Sequence, residues 1–345
     1  MKRTAGILLC SLLLLTTQPD CCNAEAARYI DSITRLCPAQ YTQSAEKIAE
    51  YIAKKFHSDS DRLRAAYSWV AQHISYDVDK MYAGITYKHE SDVVKQVLRS
   101  RKTVCFGYVV TFKAITESLG LQITVVRGYT KQNGKIAAIP HTWCAVRSGN
   151  EWKLIDPTWS AGYLSSGVFH KRFNDKWFMV KPDEIIKSHF PFDPVWQFSY
   201  FPVNSNEFAA GIHADSTTSR FFDYRDTIMR IEKLPEKEQL AAENRRIILS
   251  GNSNRMAAKH IAGNQAIIEY AIHSENVEIY NRAVNLYNMS SSLYNRNDPK
   301  SARLKLNEAK ETLDSIRNPD SGMTVSIRNL KKMIAQLDKL IEKML

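Results

Sequence analysis

Past its first residues the chain has no apolar run long enough to cross a bilayer. It also lacks a paired Cys-x-x-Cys, a glycine-rich phosphate loop and any long block of lysine or arginine. The first absence excludes a later transmembrane span. The second argues against a structural zinc, and the third removes P-loop nucleotide chemistry. The fourth matters because the formal net charge is +11. Such a charge draws acidic glycans, anionic headgroups or nucleic acid. Without a basic block or a nucleic-acid signature it reads as a diffuse solvated surface, with no nucleic-acid partner.

Cysteine is also scarce, with six in 345 residues, and three of them (Cys10, Cys21 and Cys22) fall in the first 24. That stretch reads as an export signal, 1–24. Lys2 and Arg3 are its charged start, Ile7 to Leu15 its short apolar centre, and Cys22-Asn23-Ala24 its small-residue cleavage site. The expected location is secreted or periplasmic. The alternative is a lipid anchor on Cys21 or Cys22, for which Gln18-Pro19-Asp20 makes a poor lead-in. Cleavage leaves Cys37, Cys105 and Cys144. Three is odd, so at least one thiol is free, which speaks against a disulfide scaffold. A Cys37–Cys144 bridge has no support in the sequence. Cys144 alternates with Trp143 and reads as a small buried residue.

What is present is enough for a sizeable core: 44% hydrophobic residues over a length that suggests two domains. Periodicity predicts helices over 28–56, broken at Cys37-Pro38, then over 59–75 and 91–98. Another runs from Cys105 to Leu119, stopped by Gly120, with one buried face of Val109, Phe112, Ile115, Thr116 and Leu119. The period then changes to that of strands: Gln122 to Thr130, His141 to Arg147 and Glu151 to Asp156. Turns at Asn133-Gly134 and Ser148-Gly149-Asn150 separate them. One helix on an antiparallel meander is an α+β layer architecture. After residue 215 the pattern is mainly helical. Tyr280 to Tyr294 is one helix. Asp298-Pro299 opens another, with the stripe Ala302, Leu306, Ala309, Leu313 and Ile316. Ile327, Leu330, Ile334, Leu337, Ile341 and Met344 form a further stripe, as in a helical hairpin or bundle.

Within the α+β part, three residues suggest chemistry. Cys105 stands at the front of its helix, where the dipole favours thiolate. His141 opens one strand and Asp156 closes the next. A two-residue Ser148-Gly149 loop pairs Arg147 with Asn150 and puts His141 directly opposite Asp156, Cβ atoms about 5 Å apart. A thiol, an imidazole and a carboxylate are the parts of a nucleophilic acyl-transfer site. His189, among proline and aromatics, reads as structural.

Four segments in order carry a resemblance. They are Tyr67-Ser68-Trp69-Val70 with Ile74-Ser75-Tyr76-Asp77, then Val104-Cys105-Phe106-Gly107-Tyr108, His141-Thr142-Trp143 and Asp156-Pro157-Thr158-Trp159. Over residues 60–200 the chain resembles the transglutaminase-like superfamily, whose core is the papain-like fold. The run from His189-Phe190-Pro191 to Trp196-Gln197 looks like the subgroup named for the kyphoscoliosis peptidase. The resemblance implies a Cys-bearing helix packed on a sheet bearing His and Asp. It implies catalysis by Cys105, His141 and Asp156, with no metal and no cofactor. It offers Trp69 and Gln96 as oxyanion candidates, although Trp69 also sits on an amphipathic helix that would bury it. Tyr108, Trp143 and Trp159 are candidates for the substrate cleft.

The expected organisation is a signal at 1–24, a catalytic domain at 25–215 and a helical domain at 216–345. The expected function is an exported cysteine peptidase or amidohydrolase acting through a thioester. Its substrates would be peptides or proteins, with cell-envelope and peptidoglycan stem peptides as candidates, and the helical region could hold a protein partner. The alternatives are an envelope transglutaminase that crosslinks proteins and a noncatalytic binding module with a vestigial triad.

Overall fold

The computed structural model describes residues 19–83, 89–212, 220–252 and 254–345. The part of the expected export signal before residue 19 and the expected boundary at 215/216 lie outside the described residues, as do the side chains of residues 19–23 that include the candidate lipid anchors. The chain divides into two compact units. The first is Met1–Pro191 with Trp196–Ser199 and Asn206–His213, and the second is Phe192–Val195, Tyr200–Ser205 and Ala214–Leu345.

In the first unit, α1 (Pro19–Arg35), α2 (Ala45–Lys55) and α3 (Asp59–His73) lead to a two-residue strand, β1 (Ser75–Tyr76). The cap of α3 is Ser58, whose Oγ accepts the Asp61 N–H at 3.1 Å. Then come α4 (Glu90–Ser100), β2 (Lys102–Thr103) and α5 (Cys105–Ser118). Helix α5 packs against α2, α3, α4 and the sheet. It is buried well beyond the single expected face: Tyr108, Val110 and Thr111 are enclosed together with Val109, Phe112 and Ile115. A helix apolar on most sides is one that runs through a core.

The sheet follows as β3 (Thr124–Gln132), β4 (Lys135–Ile136), β5 (His141–Ser148) and β6 (Glu151–Ile155), in the order β4-β3-β5-β6. Asn133 and Gly134 make the β3–β4 turn with φ of 50° and 73°, the left-handed pair a tight hairpin needs. Cys144, Val146 and Ile155 join the helical core. The remaining elements of this unit are α6 (Pro157–Ala161), β7 (Gly162–Ser165), β8 (Val168–Lys171), α7 (Pro182–Ile185) and β9 (His189–Pro191).

The register of β5 and β6 differs from the expected one. The loop is Gly149-Asn150, Ser148 pairs with Glu151, and the last pair is Cys144 with Ile155. Continued by one residue, Asp156 falls opposite Trp143, so His141 and Asp156 are diagonal neighbours and not direct partners. The positive φ of 60° sits on Gly149, which explains why glycine opens the loop. The slip moves pairing by two residues, and a shift of two keeps every side chain on its face.

A short helix α8 (Ser205–Ala210) precedes the second unit's α9 (Tyr224–Ile231), α10 (Glu236–Leu249), α11 (Arg255–Asn295), α12 (Pro299–Asp314) and α13 (Ser321–Glu342). Asp298 caps α12 with Pro299 at its first position. Ala302, Leu306, Ala309 and Leu313 pack with Leu330, Ile334, Leu337 and Ile341 in one apolar cluster. Met344 lies past the end of α13 and is exposed.

Candidate functional site

Cys105 is the first residue of α5 and is half-buried. Two short pieces of structure hold that helix start in place. Strand β1 pairs with β2, Tyr76 opposite Thr103. Helix α5 then lies so close to β2 that a Cβ on Gly107 would come within 1.9 Å of Thr103 Oγ1. Glycine is the residue that permits this approach.

Asp156 leaves β6 and becomes the N-cap of α6, followed by Pro157. Its Oδ1 accepts the backbone N–H of Thr158 at 2.8 Å and of Trp159 at 3.1 Å. Its Oδ2 is 2.8 Å from His141 Nε2 and 3.1 Å from His189 Nε2. Burial alone would raise its pKa, but the charge and hydrogen bond of His141 and the bond from His189 outweigh it and hold the carboxyl well below the usual range. For His141, burial works downward. The Asp156 charge and hydrogen bond, followed by the hydrogen bond and charge of Cys105, override it and raise the imidazole's pKa. With Nε2 engaged by Asp156, Nδ1 is the nitrogen left for Cys105. Cys105, His141 and Asp156 are thus brought together in that order.

His189 is the residue that sequence reasoning set aside as structural. Strand β9 pairs with β3, Tyr129 opposite Phe190 and Thr130 opposite His189. Gly128 faces His141 on one side and Pro191 on the other, and a Cβ there would meet Phe190 O at 2.0 Å. That glycine was the available signal. His189 lies among Trp143, Trp159 and Trp177, with ring centroids 5.1, 4.4 and 5.1 Å away. Trp177 is placed by its carbonyl, which accepts the Asp156 N–H at 2.9 Å.

The other sequence candidates separate. Trp69 is fully buried and stacks on His73 at 4.7 Å, with Arg101 at 5.0 Å over its ring. Its indole N–H is buried without an acceptor among the described residues, and its ring belongs to the helical core, so the structure places it as a core residue. Gln96 projects from the exposed side of α4, whose buried face is Val93, Val94, Val97 and Leu98. Tyr108 is fully buried and donates its O–H to Ile74 O at 2.8 Å, which removes it from the cleft. Trp143 is likewise enclosed, and its indole N–H has no acceptor among the described residues. Trp159 is half-buried, 5.8 Å from the His141 ring, and remains at the site. Tyr76 is a further neighbour: burial first, then the charges of Cys105 and Asp156, raise its phenol's pKa.

His141, Asp156 and His189 are also the group of described residues with donor atoms, all within 4.8 Å of one another, close enough for a metal. Both imidazoles direct Nε2 at Asp156 Oδ2, at 2.8 and 3.1 Å, and an ionised carboxylate oxygen there accepts from each. The set is a hydrogen-bond hub. Cys37, Cys105 and Cys144 are all free thiols.

Residues 33–157 match the family model described as the transglutaminase-like superfamily. Mouse kyphoscoliosis peptidase is 30% identical over 173 residues, 48% of this chain and 26% of that protein. The human protein of that name is 28% identical over 179 residues, 50% of this chain and 27% of that protein. The chain therefore spans about a quarter of the length of these relatives. A solved structure described as a TGase shares 19% identity, with a TM-score of 0.29, over 69% of this chain and 53% of that one. The chain carries a transglutaminase-like domain, with a mixed helical and antiparallel-sheet fold and a helical C-terminal region. No described helix is long and apolar enough to cross a membrane.

Proposed function

We propose that the transglutaminase-like domain of this chain is a cysteine-dependent amide-bond enzyme, a peptidase or amidohydrolase. In this reading Cys105 is the nucleophile, His141 the general base and acid, and Asp156 the orienting carboxylate. The observation that carries it is the 2.8 Å bond from His141 Nε2–H to Asp156 Oδ2, with the same ring interacting with Cys105 at the start of α5. His141 takes the thiol proton on Nδ1 while its Nε2–H stays on Asp156. Sulfur attacks the amide carbonyl carbon, a C–S bond forms, and the carbonyl electron pair moves onto oxygen. The backbone N–H of Cys105 is the candidate donor to that oxygen. Collapse breaks the C–N bond, and the amine leaves with the proton from His141. Water resolves the resulting thioester: His141 takes one of its protons, a C–O bond forms, the C–S bond breaks, and His141 returns the proton to sulfur, which releases the acid and restores the thiol. An amine in place of water would yield a new amide and a crosslink by the same steps.

Export through residues 1–24 belongs to this reading, with envelope proteins or peptidoglycan stem peptides as substrates and the helical region as a recognition element. The full chain is to be exposed to envelope extracts, digested, and the Cys105 peptide searched by mass spectrometry. An acyl adduct is expected on Cys105 and is expected to be missing from His141→Ala. A Cys105 that stays unmodified and is no more reactive than a free thiol would leave a noncatalytic binding module.

A further inference from the structure

His189 has no part in the reaction just described, yet it shares the site's carboxylate. The side chain is fully buried, with Nε2 3.1 Å from Asp156 Oδ2 and Nδ1 2.8 Å from Ser188 Oγ. These two contacts locate its proton. An ionised carboxylate can only accept, so Nε2 carries a hydrogen. Burial first, and then the charge on His141, push the His189 pKa down against the pull of Asp156, so the ring is neutral and Nδ1 is bare. Ser188 O–H must then donate into Nδ1. Its 2.8 Å reach there, against 3.3 Å to Ile185 O, agrees. The titratable groups facing this ring are Asp156 and His141, with Cys105 behind His141. Tryptophans fill the aromatic walls, and Lys131 of the neighbouring strand engages the Phe208 carbonyl and ring.

We propose that His189 is a positioning residue: a neutral imidazole whose Nε2–H shares Asp156 Oδ2 with His141, fixing that oxygen and tempering its hold on the His141 proton. The proposal rests on the Cys-His-Asp reading above. A carboxylate oxygen with one donor concentrates its charge on that donor. A second N–H draws part of that charge away. His141 must release its proton to a departing amine, and a carboxylate that grips the imidazolium too strongly makes it a poorer acid. A lysine or arginine in this place would set a second positive charge beside His141; a neutral imidazole does not. Asp156 selects the tautomer that donates from Nε2, Ser188 O–H satisfies the bare Nδ1, and Gly128 lets β9 approach β3 across from His141.

The test uses the full chain labelled with 15N-histidine, whose nitrogen shifts report tautomer and charge for each ring as pH is varied. Wild-type His189 is expected to stay neutral with its hydrogen on Nε2 while His141 titrates. In His189→Leu the His141 midpoint is expected to rise by about half to one pH unit. In His189→Gln, which keeps an N–H donor, it should return towards the wild-type value. Iodoacetamide labelling of the same samples separates the two readings. An unactivated wild-type Cys105 defeats the enzyme reading and this proposal with it. An activated Cys105 with an unmoved His141 midpoint in His189→Leu overturns this proposal alone. So does a wild-type His189 that carries its hydrogen on Nδ1 or is cationic at neutral pH, a result that needs no variant to fold.

Discussion

At the scale of single residues the site turns on Asp156, whose two oxygens accept four N–H groups. Asparagine cannot reproduce that. If its oxygen keeps the cap of α6, its NH2 faces two imidazole N–H groups, and one ring must change tautomer or move. Asp156→Asn is therefore expected to fold with reduced stability and to slow acyl-adduct formation on Cys105 by roughly two to four orders of magnitude; near-normal rates would remove Asp156 from the mechanism. The same hub makes stability pH-dependent. His141 is raised in the folded chain to about 10, above about 6.5 for a free imidazole, so its contribution is complete below about 6.5 and is lost as pH rises towards the folded value. Asp156 is depressed, so its contribution is present above about 4 and is lost as pH falls towards its folded value. Melting temperatures across pH, for wild type against His141→Gln, should show the gap closing on the alkaline side. The thiols offer a further check. Burial raises the pKa of Cys37, and burial with the Asp156 charge raises that of Cys144 well above its ordinary value. Iodoacetamide at neutral pH should label Cys105 first, as read by peptide mapping. Cys105, His141 and Asp156 could be picked out in the sequence because each borders a clear element. His189 could not: Gly128 signals a close backbone approach but not which residue arrives, and that is set by a three-residue strand that meets β3 from a distant part of the chain.

Among elements, the lesson is how small features set position. Gly107 is where α5 touches β2, and Gly107→Ala would drive a methyl into Thr103. The expected cost is about 1–3 kcal/mol in urea unfolding, together with slower Cys105 labelling, because the first turn of α5 must shift. Wild-type labelling with lost stability would mean the helix start does not locate the thiol. The hairpins were readable because Asn-Gly and Gly-Asn pairs are strong turn signals. The exact loop residues of β5–β6 were not, since Ser148-Gly149 and Gly149-Asn150 both suit a two-residue turn. The face of His141 survived that ambiguity because the error was an even number of residues. The extent of burial of α5 also escaped: Tyr108 and Val110 are enclosed because α5 packs against α2, α3, α4 and β5 together, which periodicity alone cannot supply.

For the whole molecule, the second unit has its own anchors. Asp193 is almost fully buried and receives Arg246 through three bonds of 2.6 to 3.0 Å. Burial raises the Asp193 pKa, and Arg246 opposes that rise. Arg246→Met leaves a buried carboxylate without its cation, held by the Val195 N–H at 3.1 Å, with an expected loss of about 3–5 kcal/mol in thermal or urea unfolding. The Cys105 labelling rate of the folded protein should stay at the wild-type level. A fall in that rate would show that the second unit shapes the site. The stripes of α12 and α13 were legible because their spacing is regular. Helix α11, 41 residues long, was only partly seen, since buried Asn264, Asn276 and Ser290 and exposed Ile267 and Tyr270 interrupt any stripe. It packs against α10, α12 and α13.

The double duty of Asp156 bears on how copies of such a chain would decay. A lineage that no longer needed the reaction could lose its thiol in one step, because Cys105 is half-exposed and caps nothing. It could not discard the aspartate as freely, because that residue also starts a helix and anchors two rings. An aspartate at this place is therefore a record of architecture, and the cysteine is the letter to read when asking whether a relative could carry the proposed chemistry.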